Sequence, residues 1–306
     1  MILISLVGEQ PIPILLPVRR LAPEENLLVY TSQSAPVARR LRRLISTVDD
    51  LRSDLQIEPH DLPGALAALQ RCLAGTTSEL VFNLTGGTKP MFLAAYTLAQ
   101  RLGCPFVYLD SARGVSRLQR FSFEDRLPVL QGSEILPALI SIEDYLHAHV
   151  DSFKLEGFHQ AAPGRLSEGG LFERSVCFAL ESRLDQVLAG VRPSGAAGQI
   201  EIDLLLRLGN QVGVAEVKLS GNRDLSKRGL DQLKMAAEPA YLGTYTAQFL
   251  IVGAGHLSPS VAGLANERRI SVLYLPEYED GRPLPAPAAA RLADEIRRRL
   301  QPPRRP

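Results

Sequence analysis

Four short apolar runs constrain the first 125 residues more than any other feature: Ile2–Gly8 (ILISLVG), Asn26–Ser32 (NLLVYTS), Glu79–Thr85 (ELVFNLT) and Pro105–Asp110 (PFVYLD). Each is nearly continuous rather than alternating, the pattern of a strand buried on both faces. Between them lie helical segments with start signals: Ser34 and Pro36 in front of ARRLRRLIS, Asp61 and Pro63 before ALAALQRCLA, Thr88 and Pro90 before MFLAAYTLAQRL. A small polar residue caps a helix N-terminus, and proline fits the first turn because its missing N–H is not needed there. Strand and helix alternating at this spacing predict a doubly wound, Rossmann-like α/β domain with a parallel sheet.

After Asp125 the pattern changes. Residues 134–150 read as a helix, and 146–166 as a linker carrying Gly157, Pro163 and Gly164. Beyond it come a helix over 171–188, strands Ile200–Leu208 and Val212–Ser220, the helix LDQLKMAAEPA, strand Gln248–Ala254, and a strand starting at Ser271. The expected organisation is a first domain over 1–145, a linker over 146–166, a second α/β domain over 167–285, and a basic helix with a Pro/Arg tail over 286–306. At 306 residues, 45% hydrophobic and 22% charged, the chain can bury two cores, which excludes a largely disordered protein. Lys plus Arg number 34 against 33 Asp plus Glu, so nucleic-acid contact has to come from local patches. Cys72, Cys104 and Cys177 stand alone without CxxC spacing, which fits a reducing, cytoplasmic setting and neither a disulfide framework nor a zinc knuckle. The apolar N-terminus lacks a basic flank and is broken by Glu9, Pro11, Pro13 and Pro17, so neither a signal peptide nor a membrane helix is expected.

The segment Asn83-Leu84-Thr85-Gly86-Gly87-Thr88-Lys89-Pro90 falls where a buried strand ends and a helix starts. Glycines there allow a tight turn, and the free N–H groups of the helix start make an anion cradle to which Thr85, Thr88 and Lys89 add donors. The spacing matches neither a Walker loop nor GxGxxG, which disfavours a nucleoside triphosphatase or dinucleotide enzyme. A plain strand-to-helix turn capped by Thr88 is the bland alternative. Gly8-Glu9-Gln10-Pro11 follows the first strand, and strands of a parallel sheet open their carboxyl ends on one side, so these two polar loops share a rim, with Thr31, Ser32 and Gln33 as lesser candidates.

LVGEQPIP together with FNLTGGTKPMFLAAY resembles the CARF domain (CRISPR-associated Rossmann fold), the sensor module of accessory nucleases in type III CRISPR immunity. The resemblance covers roughly residues 1–125, its most specific part being NxTGGTK. It implies that cyclic oligoadenylate, most often cyclic tetra-adenylate, binds across the two-fold axis of a homodimer, with Gln10, Thr85, Gly86, Gly87, Thr88 and Lys89 lining half of the pocket.

The second constellation is Glu201-Ile202-Asp203 and Glu216-Val217-Lys218, on two strands joined by a Gly209-Asn210 turn. Pairing Leu208 with Gln211 and counting back sets Asp203 opposite Glu216 and Glu201 opposite Lys218. Opposed residues have Cβ atoms ~4.5–5.5 Å apart, so Asp203 and Glu216 are placed to share a divalent ion, with Lys218 on the same face. Such a set is costly if buried and unused. In phosphodiester hydrolysis the ion activates water and polarises phosphate, while the lysine steadies developing charge. Glu173 on the preceding helix is a further candidate; a solvated face with a Glu201–Lys218 ion pair is the bland alternative.

This arrangement resembles the PD-(D/E)xK nuclease superfamily over about residues 167–255, in helix, strand, strand, helix, strand order. The resemblance implies that Asp203 and Glu216 are metal ligands, that Lys218 is the catalytic lysine, and that Glu173 and Gln232 support the site; Ile202 stands where the name-giving proline would be. The two resemblances together imply a homodimeric endonuclease, dependent on Mn²⁺ or Mg²⁺ and switched by cyclic tetra-adenylate, that cuts DNA or RNA. Two other readings remain: a ring nuclease that degrades its cyclic ligand, and a sensor that only binds nucleic acid or a partner. The five histidines sit singly or two apart on a helix and indicate no histidine metal site. The arginines at 39–40 and 42–43 read as a solvated helix face, while those at 297–299 and 304–305 suit either a nucleic-acid backbone or a solubilising tail.

Overall fold

The computed structural model describes residues 1–46, 54–111, 114–194, 200–220, 223–238, 241–243 and 246–301, with the backbone alone for 223–226. The chain divides into two units, Met1–Leu139 and Ile140–Pro306.

In the first unit the chain runs β1 (Ile2–Leu6), α1 (Ile12–Leu21), β2 (Glu25–Tyr30), α2 (Ala35–Ile45), β3 (Leu55–Gln56), α3 (Leu62–Leu73), β4 (Leu80–Asn83), α4 (Lys89–Leu102), β5 (Phe106–Asp110), β6 (Arg117–Glu124) and β7 (Leu127–Ile135). The sheet order is β3-β2-β1-β4-β5-β6-β7, parallel from β3 to β5 and antiparallel beyond. The expected apolar runs form β1, β2, β4 and β5, and Asp61 and Thr88 cap α3 and α4 through their side chains. Ile4, Leu27, Phe82, Leu69 and Leu98 lie in one buried cluster that seats α3 and α4 on the sheet.

The unit also contains elements beyond the expected runs, among them α1, β3, β6 and β7. The N-terminal prolines do not prevent a helix: Pro13 falls in the first turn of α1, and Pro17 stands inside it. The β6–β7 hairpin turns at Asp125 and Arg126, both at positive φ (49° and 65°), the geometry of a type I′ turn without its usual glycine. Residues 134–135 end β7, so the helix expected over 134–150 is confined to its C-terminal half.

The second unit runs α5 (Ile142–His149), β8 (Phe153–Leu155), β9 (Gln160–Ala162), β10 (Arg165–Leu166), α6 (Glu168–Glu181), β11 (Gln186–Pro193), β12 (Ile202–Leu208), β13 (Gln211–Ser220), α7 (Arg223–Ala236), β14 (Ala247–Ala254), α8 (Pro259–Glu267), β15 (Ser271–Tyr274) and α9 (Ala286–Leu300). Six strands form a sheet in the order β15-β14-β13-β12-β11-β8, and β9 pairs with β10. Residues 146–166, expected as a linker, contain the end of α5, the edge strand β8 and the β9–β10 pair. The helix expected over 171–188 ends at Glu181, and its last part is the start of β11. Residues 286–300 are integral to the unit: Ala289, Leu292, Ala293, Ile296 and Leu300 of α9 are buried with Phe172 and Val176 of α6, Leu204 and Leu206 of β12, and Val217 of β13. Among the described residues no helix is long and apolar enough to cross a membrane.

Candidate functional site

In the first sheet the chain leaves β1 towards β2 on one side and returns at β4 on the other, so the carboxyl ends of β1 and β4 flank a topological switch point, where open α/β sheets bind ligands. The loops there are Gly8-Glu9-Gln10 and Thr85–Lys89, packed tightly together. A Cβ on Gly86 would stand 2.3 Å from the Leu6 carbonyl oxygen, one on Gly8 3.2 Å from the Gly87 nitrogen, and Gly87 holds φ +79°. Glycine is needed at 86 and 87 for close approach and a left-handed backbone.

Asn83, fully buried at the end of β4, ties this rim together. Its Nδ2 donates to the Pro13 carbonyl (3.1 Å), and its Oδ1 accepts from the Thr85 N–H (3.2 Å) and Thr85 hydroxyl (2.7 Å). The Thr85 oxygen in turn accepts from the Leu109 N–H at 2.8 Å. Thr88 donates to the Pro59 carbonyl (2.9 Å) and accepts from the Met91 N–H that it caps. Both threonine hydroxyl protons are therefore engaged inside the protein, and these side chains shape the loop rather than offer free donors. Lys89 is exposed and Gln10 half-buried on the same rim, whereas Thr31 is buried against Ser34.

The second constellation assembles on β12 and β13. Their register runs from Leu208 opposite Gln211 to Leu204 opposite Ala215, as the two-residue turn predicts, with Gly209 at φ +60°. One step on, Asp203 and Glu216 are 4% and 2% exposed, and Glu173 from α6 is 5% exposed. Lys218 Nζ lies 2.5 Å from Glu216 Oε1 and 3.5 Å from Asp203 Oδ2, and Asp203 Oδ2 also accepts from the Val217 N–H at 2.7 Å. The alternative Glu201–Lys218 pair is not made, because Arg192 on β11 takes Glu201 at 2.8 Å. Gln232 of α7 lines a narrow cleft with Glu201 and Glu216, and a Cβ on Gly229 of the same helix would stand 3.1 Å from Glu216 Cγ.

His159, which shows no metal-site spacing in the sequence, belongs to this cluster. Its N–H donates to Glu173 Oε2 (3.0 Å), and its Nδ1 lies 3.1 Å from Glu173 Oε1 and 3.8 Å from Glu201 Oε1. One donor atom each from His159, Glu173 and Asp203 lie within 4.8 Å of one another. No local spacing signals this, because His159 lies on the connection between β8 and β9, away from the expected strands.

Charge is imbalanced at the cluster. Burial pushes the Glu216 carboxyl up to about 8, with Asp203 adding to the rise and Lys218 opposing it. Burial likewise raises Asp203 and Glu173, while Lys218 is raised by the carboxylates around it, against its own burial. Three buried carboxyls facing one ammonium are short of positive charge, and carboxylate oxygens with an imidazole suit a divalent ion. The group whose donor atoms come together is of a kind that can hold such an ion, and it contains Asp203 but, in place of the Glu216 expected from the sequence, Glu173 and His159.

Arg39 and Arg43 are exposed on α2, in keeping with a solvated face, whereas Arg42 pairs with Asp54 and donates to the Asn26 carbonyl at 2.8 Å; the exposed Arg297 and Arg299 donate to the Arg183 carbonyl at 2.9 Å and the Arg269 carbonyl at 3.1 Å. Arg304 and Arg305 lie outside the described residues.

Residues 2–145 match the family model described as the Card1 CARF domain. The chain carries an N-terminal CARF domain. No curated protein matches the chain in sequence. Among solved structures, Can2 from Sulfobacillus thermosulfidooxidans in complex with cyclic tetra-adenylate is similar with a TM-score of 0.72 at 15% identity, covering 98% of this chain and 99% of that one. Protein VC1899 from Vibrio cholerae is similar with a TM-score of 0.69 at 13% identity, over 97% and 98% of the two chains. A type III CRISPR defence DNA nuclease activated by cyclic oligoadenylate has a TM-score of 0.69 at 18% identity; the match covers 98% of this chain but 53% of that protein. The CARF domain followed by a second α/β unit is thus an architecture shared with Can2 across nearly its full length.

Proposed function

We propose that the chain is a divalent-metal-dependent endonuclease of the PD-(D/E)xK type, acting in type III CRISPR defence and activated by cyclic oligoadenylate, most plainly cyclic tetra-adenylate, at its CARF domain. The single observation that carries the nuclease half is the set of buried Asp203 and Glu216 with half-buried Lys218 on β12 and β13, with Glu173 brought to it from α6. The sensing half rests on the CARF match and on the similarity to Can2, whose structure holds cyclic tetra-adenylate.

On this reading Gly86 and Gly87 let the ligand approach the backbone, and Gln10 and Lys89 supply side-chain donors, while Thr85 and Thr88 hold the loop in shape. Half of the ligand faces each protomer of a homodimer. Asp203 and Glu216 hold the metal, with Glu173 beside them. The ion, when bound, polarises the scissile phosphate and lowers the pKa of a coordinated water. Lys218, set between Glu216 and Asp203, would steady charge on the phosphate oxygens. Gln232 orients groups at the opening beside Glu201. Activation requires that the ligand favour the cleaving arrangement, since equal affinity for both states shifts nothing.

The test is cleavage of circular plasmid, single-stranded DNA and RNA with Mn²⁺, with and without cyclic tetra-adenylate, by wild type beside Glu216→Ala. Cleavage by wild type with ligand alone is the expected result, and it identifies the substrate. Equal cutting by both proteins places the active site elsewhere, and no cutting by either leaves a ligand sensor. Following the cyclic ligand in the same reactions detects ring opening, which if it persists in Glu216→Ala points to the CARF domain as a ring nuclease.

A further inference from the structure

The start of α6 is built around the backbone of His159. Ser167, the N-cap of α6, donates from its hydroxyl to the His159 carbonyl (3.2 Å), and its N–H donates to the same carbonyl (3.0 Å). At Gly170, on the first turn, a Cβ would stand 2.0 Å from that carbonyl oxygen, so only glycine admits it. Glu173 then accepts the His159 N–H at 3.0 Å. These contacts leave the imidazole half-exposed, with Nδ1 3.1 Å from Glu173 Oε1. Metal–ligand distances of about 2.0–2.2 Å put the ligands of one ion up to roughly 4.4 Å apart. The donor atoms of His159, Glu173 and Asp203, all within 4.8 Å, need only small rotations to meet a single ion.

We propose that His159 is a further ligand to the metal assigned to Asp203 and Glu216, adding with Glu173 a mixed nitrogen–oxygen donor set that suits a divalent transition-metal ion. The inference rests on the metal-dependent nuclease reading and extends it to a ligand from outside the two central strands. An imidazole ligand favours first-row transition ions, whereas Mg²⁺ takes oxygen ligands and keeps its waters. The site therefore prefers Mn²⁺ to Mg²⁺, and His159 is the source of the preference.

The experiment is electron spin echo modulation spectroscopy on the full chain loaded with Mn²⁺, alongside Mn²⁺ titration in competition with Mg²⁺. Wild type is expected to show coupling from a directly bound ¹⁴N. His159→Gln is expected to bind Mn²⁺ at least tenfold more weakly, without that coupling and with the Mn²⁺ preference reduced. Labelling wild type with ¹⁵N-histidine changes the coupling to that of ¹⁵N, which assigns the nitrogen to histidine even if the variant does not fold. Bound Mn²⁺ without nitrogen coupling in wild type, or coupling that survives in His159→Gln, overturns the proposal. Nitrogen coupling in a protein that cleaves nothing upholds this ligand and sinks the nuclease reading; Mn²⁺-dependent cleavage without coupling does the reverse, and failure of wild type to bind Mn²⁺ overturns both.

Discussion

Asn83 Nδ2 donates at 3.1 Å to the carbonyl of Pro13, the residue four before Pro17 in α1. Proline has no N–H, so Pro17 leaves that carbonyl without its helical partner. A side chain from β4 fills the place, and the same amide group holds Thr85 through its oxygen. The helix after β1 and the loop after β4, the two sides of the candidate ligand rim, are thereby joined by one buried residue.

Asn83→Ala removes this joint and leaves several buried polar groups unmade, each costing about 1–3 kcal/mol. Calorimetry should show the N-terminal unit melting several degrees lower, together with weaker binding of cyclic tetra-adenylate. An unchanged melting profile would mean that the link is incidental.

Lys89 is exposed at the start of α4, so Lys89→Ala should leave the melting temperature unchanged. A charge-assisted hydrogen bond is worth about 1.5–3 kcal/mol, which predicts roughly ten- to hundredfold weaker binding of cyclic tetra-adenylate by isothermal titration. Wild-type affinity in this variant removes Lys89 from the pocket.

Lys218 is the cation facing Asp203 and Glu216. Removing one partner of a buried ion pair costs about 3–5 kcal/mol, but here the carboxyls can take up protons as the pH falls. Lys218→Met should therefore be destabilised more at pH 8 than at pH 5.5 in denaturant titrations, and its cleavage rate should drop by about 10²–10³-fold. Equal destabilisation at both pH values counts against the charge imbalance.

Glu216, held up to about 8, sits well above the ~4.3 of an unfolded glutamate. Its neutral form is the one the fold favours, so its stabilising contribution is complete below ~4.3 and is lost as pH rises through about 8. Asp203 and Glu173, raised in the same direction, add to this slope. In EDTA the melting temperature should fall from pH 5 to pH 9. Mn²⁺ should flatten the fall, because metal binding displaces the protons, and Glu216→Gln should reduce it without metal. A metal-free melting temperature that rises across the window contradicts this account.

Much of this protein was legible in its sequence because the signals are local. Continuous apolar runs specify strands covered on both faces, side-chain caps at Asp61 and Thr88 start α3 and α4, and the two-residue turn at Gly209 and Asn210 sets the β12–β13 register. That register is enough to bring Asp203 and Glu216 together, since every residue of a hairpin is positioned by its turn.

What only the tertiary structure decided rests on partners far apart along the chain. Whether Pro17 breaks α1 depends on Asn83; whether Glu201 meets Lys218 depends on Arg192 reaching it from β11. Thr88 looks like a free donor until the Pro59 carbonyl is seen to accept its proton, and Thr85, whose proton goes to Asn83, also accepts from the distant Leu109 N–H. His159 has no periodic signal at all, and becomes part of the acidic cluster through its contacts with Ser167, Gly170 and Glu173 of α6. Local sequence specifies which hydrogen-bonding groups a segment carries; only the packed fold determines which of them find each other, because burial makes an unpaired group costly and so selects the partner.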